Sequence, residues 1–463
     1  MADAARAPSL WLDPPPELGP SLGEDIEADF VVIGAGYTGL SVALAMAEEG
    51  ASVVVVERDY AGFGASGRNA GHLTPTVGKD LPTLLRLYGR EGGGALVRLA
   101  EEAVEQVEAT LADRGIDSDY VANGNVLAGL HPGQRPALEK AARAAAELGG
   151  AMRMLSDEEI AERGLPTHVA CGYLEERGGV LNPAKYARGL REAALAAGAR
   201  LYERTPVDEI IDDAGGGVQA RTPRGAVSAQ RCLLATNAYT PQLGLLRSRI
   251  LPLRVSLFAT EALTDEQRHR VGWPGEEGIY TAHEILESYR LTADRRIVGG
   301  SRYIAYGWRS RILPDEDAGV FAGLEAMFHS RFPELEDVEV ERCWSGPIAL
   351  SLDFLPSIGR TGKGERILYA VGCAGHGVAM MSFLGNRLAA MAMRDEPAPP
   401  ALAERRRVPL PPEPFRWPLA KGIIATLEAL DRRTDRRAEP RPAAAQSASS
   451  IQSPFGRQPP TRR

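Results

Sequence analysis

The sequence predicts an α/β fold in which a largely parallel sheet domain is interrupted by a mixed α+β domain. Three observations predict it. Residues 28–58 run strand, glycine turn, helix, strand. Apolar runs alternate with helical patterns from about 28 to 395, as α/β proteins do. Residues 368–393 then repeat the order strand, glycine turn, helix. A chain of 463 residues gives room for two large domains.

Composition narrows the function classes. Apolar residues make up 44% and charged residues 25%, ordinary for a globular protein. The 53 basic and 61 acidic side chains leave a net charge of −8. Only five of the basic residues are lysines, and the arginines are scattered. An acidic chain of this kind has no field to attract nucleic acid. Cys171, Cys232, Cys343 and Cys373 lie far apart, so neither a zinc ribbon nor a disulfide framework is expected, and no metal site is.

Residues 1–27 read as an extended arm, with a PPP run and no apolar core of a signal peptide, which predicts a cytoplasmic protein. Phe30 to Ala47 is an uncharged run of nearly membrane-spanning length, but its three early glycines argue for strand, tight turn and buried helix.

The strongest motif opens the core. Phe30 to Ile33 suits a buried parallel strand. Gly34, Gly36 and Gly39 complete GxGxxG. Gly34 serves the tight turn, Gly36 the approach of a pyrophosphate, and Gly39 the packing of helix on strand. The helix N-terminus faces the phosphates. Ser52 to Val56 forms the second strand, and Glu57 at its end is placed to accept from ribose hydroxyls. Together these predict a Rossmann-like dinucleotide site.

The next stretch, GFGASGRNAGHL (62–73), is a glycine-rich polar loop rather than a third βα unit. Its free N–H groups suit a diphosphate and a flavin, which favours FAD over NAD. Taken singly, Ser66 reads equally as a helix cap, Arg68 as a surface ion pair, and Asn69 as a left-handed turn residue. Further on, Leu233 to Ala235 ends a strand, with Thr236 and Asn237 as polar groups beyond it, where ligands of open α/β sheets sit. Gly372, Gly375 and Gly377 form the second glycine turn, with a helix from Val378 to Met393. Its N-terminus would favour negative charge on a reduced flavin. His376 in that turn reads equally as a cap and as a flavin or substrate contact.

These stretches resemble the D-amino-acid-oxidase-like family of FAD-dependent amine and amino-acid oxidoreductases, and within it the branch that oxidises gamma-glutamylputrescine. GAGYTGLSVA and GASGRNAGHL carry the resemblance first. GGVLNPAKYARGL (178–190), CLLATNAYT (232–240), WSGPIALSLDFLPSIG (344–359) and YAVGCAGHGVAMMSFLGNRLA (369–389) follow in the family's order. The resemblance covers about 28–395. It implies FAD contacts at Gly34, Gly36, Gly39, Glu57, Arg58, Ser66, Gly67, Arg68, Asn69, Gly71, His72, Thr236, Asn237, Gly346, Gly372, Gly375, His376, Gly377 and Val378, with Val207 toward the adenine. It also implies a basic residue beside the flavin. Arg290, in SYRLTADRRIVGG, is the candidate, against the alternative of a surface ion pair on an edge strand. Arg290 and His376 are thus the expected catalytic pair.

Two departures bear on substrate and attachment. Where a related branch carries a lysine for the substrate carboxylate, this chain has Ala379; Arg302 is the candidate substitute. Where that branch tethers flavin through cysteine, Gly346 stands instead, and Cys343 is three residues away and on the other strand face. The expectation is non-covalent FAD and an amine without an adjacent carboxylate, a polyamine or gamma-glutamyl polyamine, oxidised to imine and aldehyde with oxygen as acceptor. A D-amino-acid or N-methyl-amino-acid substrate, a non-catalytic flavin-binding subunit, and an NAD dehydrogenase are the alternatives.

The expected domains are 28–95, 165–245 and 345–395 for FAD, and 96–164 with 246–344 for substrate. Residues 396–439 form an extension with one helix, on which Leu419, Ile423, Ile424, Leu427 and Leu430 share a face. That face is expected to dock on the core; a basic helix lying on a membrane is the alternative. Residues 440–463 are too poor in large apolar groups to order themselves.

Overall fold

A computed structural model describes residues 8–12, 18–213, 216–403 and 409–438. The expected disordered tail, 440–463, lies outside the described residues.

The first sheet has a parallel centre. Ile367–Val371, Gly225–Leu234, Ile26–Ile33, Val53–Val56 and Arg200–Tyr202 lie side by side in that order. Ser357–Thr361 adds an antiparallel edge, and Glu209–Asp213 and Gly217–Thr222 a hairpin. Val32 pairs with Leu233 on one side and Val55 on the other. Because strands in the centre are covered on both faces, they read as unbroken apolar runs. Helices Tyr37–Glu48, Leu81–Asp113, Pro183–Ala196 and Gly377–Arg394 bury one face. The uncharged run from Phe30 to Ala47 is strand, turn and buried helix. No described helix is long and apolar enough to cross a membrane.

The second sheet runs Val340–Leu350, Leu251–Thr260, Ile297–Tyr306, Ser288–Leu291, Gly278–Thr281, Asn125–Gly129, Cys171–Glu175, Met152–Met154. It is antiparallel except where Gly278–Thr281 meets Asn125–Gly129. Phe258, Tyr289, Phe328 and Phe332 fill the space between its outer face and helix Ala318–Arg331.

Three expected boundaries move. Cys171–Glu175 and the second half of Val340–Leu350 belong to the second sheet, although they fall in segments assigned to the first domain. A strand's sequence does not say which sheet it joins; its partners here are Asn125–Gly129 and Leu251–Thr260. Residues 96–113 continue helix Leu81–Asp113, and Leu96, Val97, Ala100 and Val104 pack into the first core. The first strand also starts earlier, at Ile26.

The arm is tied down where it is described. Ser9, Trp11, Leu12 and Leu22 are buried. The C-terminal helix, Arg416–Asp435, does dock, and the expected apolar face splits: Ile424 packs with Ala420 against Leu251 and Tyr306 and Leu427 is half-buried, while Leu419, Ile423 and Leu430 are exposed. Asp431 is 1% exposed and accepts from the Glu284 and Ile285 amides at 2.7 and 3.0 Å. Arg302 pairs with Asp431 at 2.6 Å and Asp435 at 2.7 Å, and Arg331 also reaches Asp435. Two carboxylates matched to two arginines anchored on the second sheet fix which side of the helix docks and leave Leu419, Ile423 and Leu430 facing solvent.

Candidate active site

The first glycine turn is built as tightly as its motif requires. Gly34 has φ +101°, and a Cβ there would meet the Ala235 carbonyl at 2.9 Å. A Cβ on Gly39 would sit 1.8 Å from the Gly34 carbonyl oxygen, so only glycine lets this helix pack on this strand. Gly36 is the extended N-cap of helix Tyr37–Glu48 and offers no side-chain cap. The Ser66 hydroxyl accepts from the Tyr37 amide at 3.0 Å, which makes Ser66 the cap its alternative reading named.

Glu57 stands at the end of the second strand. Its carboxylate accepts from the Ala35 amide at 2.8 Å and the Asp59 amide at 3.0 Å. Burial pushes this carboxyl above its ordinary value. Each oxygen retains a lone pair for a diol. Arg58 points outward, pairing with Asp59 at 2.9 Å and stacking 4.7 Å over Tyr239. Val207 is half-buried against the core that holds Leu22 and Val31.

The polar loop is braced from both domains. Arg68 is 4% exposed, not a surface side chain. It donates to the Phe63 carbonyl (2.8 Å), the Ser345 carbonyl (3.2 Å) and Asp315 (2.6 Å). Gly346 supplies the room, since its Cβ would lie 3.3 Å from Arg68 Cδ. Asn69 clasps the loop, donating to the Ala65 and Ser66 carbonyls at 3.0 Å and accepting from Gly71 at 2.8 Å. The left-handed residue is not Asn69 but Gly71, at φ +86°. Two tryptophans clamp the same loop: Trp344 Nε1 donates to the Arg68 carbonyl and Trp11 Nε1 to that of Asn69, both at 2.9 Å. Ser9 Oγ donates to the Gly67 carbonyl at 2.7 Å.

At the second glycine turn, Asn237 Oδ1 accepts from the Gly372 amide at 3.0 Å and so ties two parallel strand ends together. Thr236 is linked to Thr240 at 2.8 Å. Gly372 and Gly375 have φ +85° and +89°. His376 is the N-cap of helix Gly377–Arg394 without a side-chain cap bond, and Val378 and Ala379 are buried in its first turn.

The inner face of the second sheet completes the cleft. Strand register puts Glu175 beside Asn125, Asn125 beside Gly278, and Arg290 on the next strand. His72 lies over that row: its Nδ1 is 3.0 Å from Asn125 Oδ1, and a Cβ on Gly278 would come 2.5 Å from it. His72 Nε2 is buried without a partner. Burial, Arg290 and His376 hold the His72 imidazole down to about 4, and burial holds His376 at about 4 as well. Both rings are therefore neutral at pH 7. Arg290 lies in an interior strand, not an edge, and is 2% exposed. It donates to the Leu181 and Leu291 carbonyls, and its guanidinium lies 5.4 Å from the Trp11 ring. Among the described residues no carboxylate is paired with it, and burial pulls it down to about 10. His72, His376 and Arg290 thus converge from three elements.

Sequence reasoning missed Glu175, Asn125, Tyr280 and Trp11. Glu175 is 3% exposed, bonded to Tyr280, and burial lifts its carboxyl to about 7. Its Oε2 has no partner. Only cross-strand register brings Glu175, Asn125 and Tyr280 together, and register has no local signal; Trp11 arrives from the N-terminal arm.

Arg302 does not serve this cleft. Ser301 takes φ +81°, a bulge that turns the next side chain to the outer face, where Glu287, Asp431 and Asp435 hold it. Cys343 also faces outward, against the Phe258 cluster. His283, Glu287 and Asp435 approach one another on that outer face, but Arg302 and Arg331 already neutralise the carboxylates.

The family described as FAD dependent oxidoreductase (DAO) matches residues 29–391. A gamma-glutamylputrescine oxidoreductase of Escherichia coli is 31% identical over 397 residues, 84% of this chain and 89% of the relative. A glycine oxidase of Bacillus licheniformis is 24% identical, over 78% of this chain and 92% of its own. Among solved structures, L-proline dehydrogenase from P. horikoshii superposes with a TM-score of 0.68 at 20% identity, covering 82% of this chain and 96% of its own. Glycine oxidase from Geobacillus kaustophilus gives 0.67 at 20%, over 80% and 96%.

Proposed function

The chain belongs to the DAO family of FAD-dependent oxidoreductases, and from that premise we propose that it oxidises the C–N bond of an amine without an adjacent carboxylate. A polyamine or its gamma-glutamyl conjugate is the substrate class, and oxygen the acceptor. The observation that carries this reading is the commitment of Arg302. A carboxylate in a dry pocket needs a fixed cation, since an unpaired buried charge costs several kcal/mol. Ala379 offers none, and Arg302 is engaged on the far side of the sheet.

FAD suits the residues present. Helix Tyr37–Glu48, whose N-cap Gly36 has no side chain, offers its N-terminus to a diphosphate beside the Ser66 hydroxyl, Glu57 keeps lone pairs for ribose, and the Gly34–Gly39 packing leaves the turn open. The geometry also supports a non-covalent hold, because Cys343 faces away and burial raises the Cys373 thiol.

When bound, the flavin supplies the two-electron chemistry, accepting hydride from the carbon that bears nitrogen. The rest falls to the chain. His72 and His376, both neutral, put no positive charge beside the incoming ammonium. His72 Nε2, without a protein partner, is free to accept one proton as the C=N bond forms. Arg290 places fixed positive charge beside the cleft where negative charge develops. Trp11, Trp344 and the sheet exclude water until the imine leaves. Water then adds to the imine to give an aldehyde and ammonia, and oxygen takes the two electrons with two protons as hydrogen peroxide.

One observation favours a second reading. Arg290 has no carboxylate partner among the described residues, and an amino-acid substrate would supply one. A single assay separates the two: anaerobic flavin bleaching by putrescine and gamma-glutamylputrescine against sarcosine and D-alanine. We expect the first pair to bleach faster. Faster bleaching by sarcosine or D-alanine sinks the amine reading and makes Arg290 the carboxylate anchor.

A further inference from the structure

The C-terminal helix leaves part of its apolar surface exposed. Phe415, Leu419, Ile423 and Leu430, spaced by four, four and seven residues, form one stripe on helix Arg416–Asp435 and its N-cap. They are 69, 49, 47 and 39% exposed. Trp417 and Trp308, packed edge to face at 6.2 Å near the N-terminal end of the helix, are 38 and 46% exposed. These six make up most of the large exposed apolar side chains described in the molecule. The docked side of the helix carries Ala420, Ile424 and Asp431, and the exposed stripe lies beside it.

Charge identifies the occupant. Arg433 and Arg437 continue the stripe at its C-terminal end, and Arg436 flanks it, all exposed. Residues 401–463 carry 13 basic and 6 acidic side chains, while the chain as a whole is at −8. An acidic protein therefore presents one basic, aromatic and aliphatic ridge. A second copy of this chain would place like charges together. The ridge is also small: a helix of 20 residues is about 30 Å long and 10 Å wide, so it covers roughly 300 Å², against about 800 Å² per partner in a stable interface. A membrane surface needs no more than this. Apolar side chains enter the acyl boundary, tryptophans sit at the headgroup level, and arginines meet anionic lipid.

We propose that the exposed face of the C-terminal helix, Phe415 to Arg437, binds the surface of a membrane that contains anionic lipid. The helix lies on the membrane and does not cross it, while its Asp431 and Asp435 side remains docked on the second sheet. This attachment is independent of which amine is oxidised.

Flotation with vesicles tests it, using the full chain loaded with FAD. Vesicles of phosphatidylcholine alone are compared with vesicles that also contain phosphatidylglycerol. Anionic vesicles should bind at least about tenfold more tightly, because each arginine near such a surface contributes on the order of fivefold. Added salt should weaken the binding. Leu419→Glu with Ile423→Glu should abolish it with unchanged flavin content and melting temperature, since both side chains touch solvent. A second double variant, Arg433→Gln with Arg437→Gln, should remove the preference for anionic lipid. Failure of the intact chain to float with anionic vesicles overturns the proposal, and so does equal flotation of the Leu419→Glu, Ile423→Glu variant. Dimerisation through this face, seen as a loss of dimer in that variant without vesicle binding, also overturns it.

Discussion

Replacing Glu57 with glutamine tests the dinucleotide site most directly. The substitution keeps size and shape but changes one oxygen to an NH2 group. In the native chain, Oε2 accepts from Ala35 at 2.8 Å and Oε1 from Asp59 at 3.0 Å. An amide has one oxygen, so one of these two donors must face another donor. It also has one acceptor fewer for a ribose diol. An unsatisfied buried group costs about 1–3 kcal/mol. If the cost falls on the apoprotein alone, its melting temperature drops and FAD affinity is spared. If the carboxylate also holds ribose, FAD affinity drops by a further ten- to a hundredfold, roughly. Both are read in one experiment: melting temperature against FAD concentration, where the bound ligand raises stability by RT ln(1 + [FAD]/Kd). The Glu57→Gln variant should melt lower without FAD and gain less per added FAD. A gain equal to that of the native chain refutes the ribose assignment, whatever happens to the apoprotein.

Three shorter predictions follow from the same geometry. Asp431→Asn leaves Arg302 short of its closest buried carboxylate and weakens the caps on Glu284 and Ile285; stability in urea should fall by about 3 kcal/mol, and an unchanged midpoint would mean the helix docks by other contacts. His168 is buried beside Arg331, and burial holds its imidazole down to about 4. Its contribution is fully present above about 6.5 and is lost as pH falls toward 4, so between pH 7.5 and 5 the native chain should lose about 2 kcal/mol more than His168→Asn; parallel losses would show that the ring is already accommodated as a cation. Acid precipitation should release yellow flavin to the supernatant from both the native chain and Cys343→Ala, and colour retained by the native pellet alone would establish a cysteine tether.

How far the site could be read from sequence differs between its two halves. The Gly34–Gly39 turn, Glu57, the polar loop and the turn at Gly372–Gly377 are each local: a few residues carry the whole steric requirement. Their placement needed no knowledge of distant chain. Arg290 was reachable only through a family resemblance. Glu175, Asn125 and Tyr280 were not reachable at all, because they meet by strand register across the second sheet. Arg68 shows the intermediate case. Its loop is legible locally, but its burial against Ser345 and Asp315 depends on a strand 277 residues away and a loop 247 away.

The sequence by itself determined the strand, turn and helix of the first domain, because GxGxxG sterics admit few other arrangements and a charge-free run must be buried. It also determined a helix with an apolar stripe around residues 416–435. Only the tertiary structure decided where that stripe points. Local periodicity says that Leu419, Ile423 and Leu430 share a face. It cannot say that Arg302, turned outward by the bulge at Ser301, and Arg331 would capture Asp431 and Asp435 on another face. Buried ion pairs are chosen by long-range geometry, and here, together with Ile424 and Ala420, they select the side of the helix that docks.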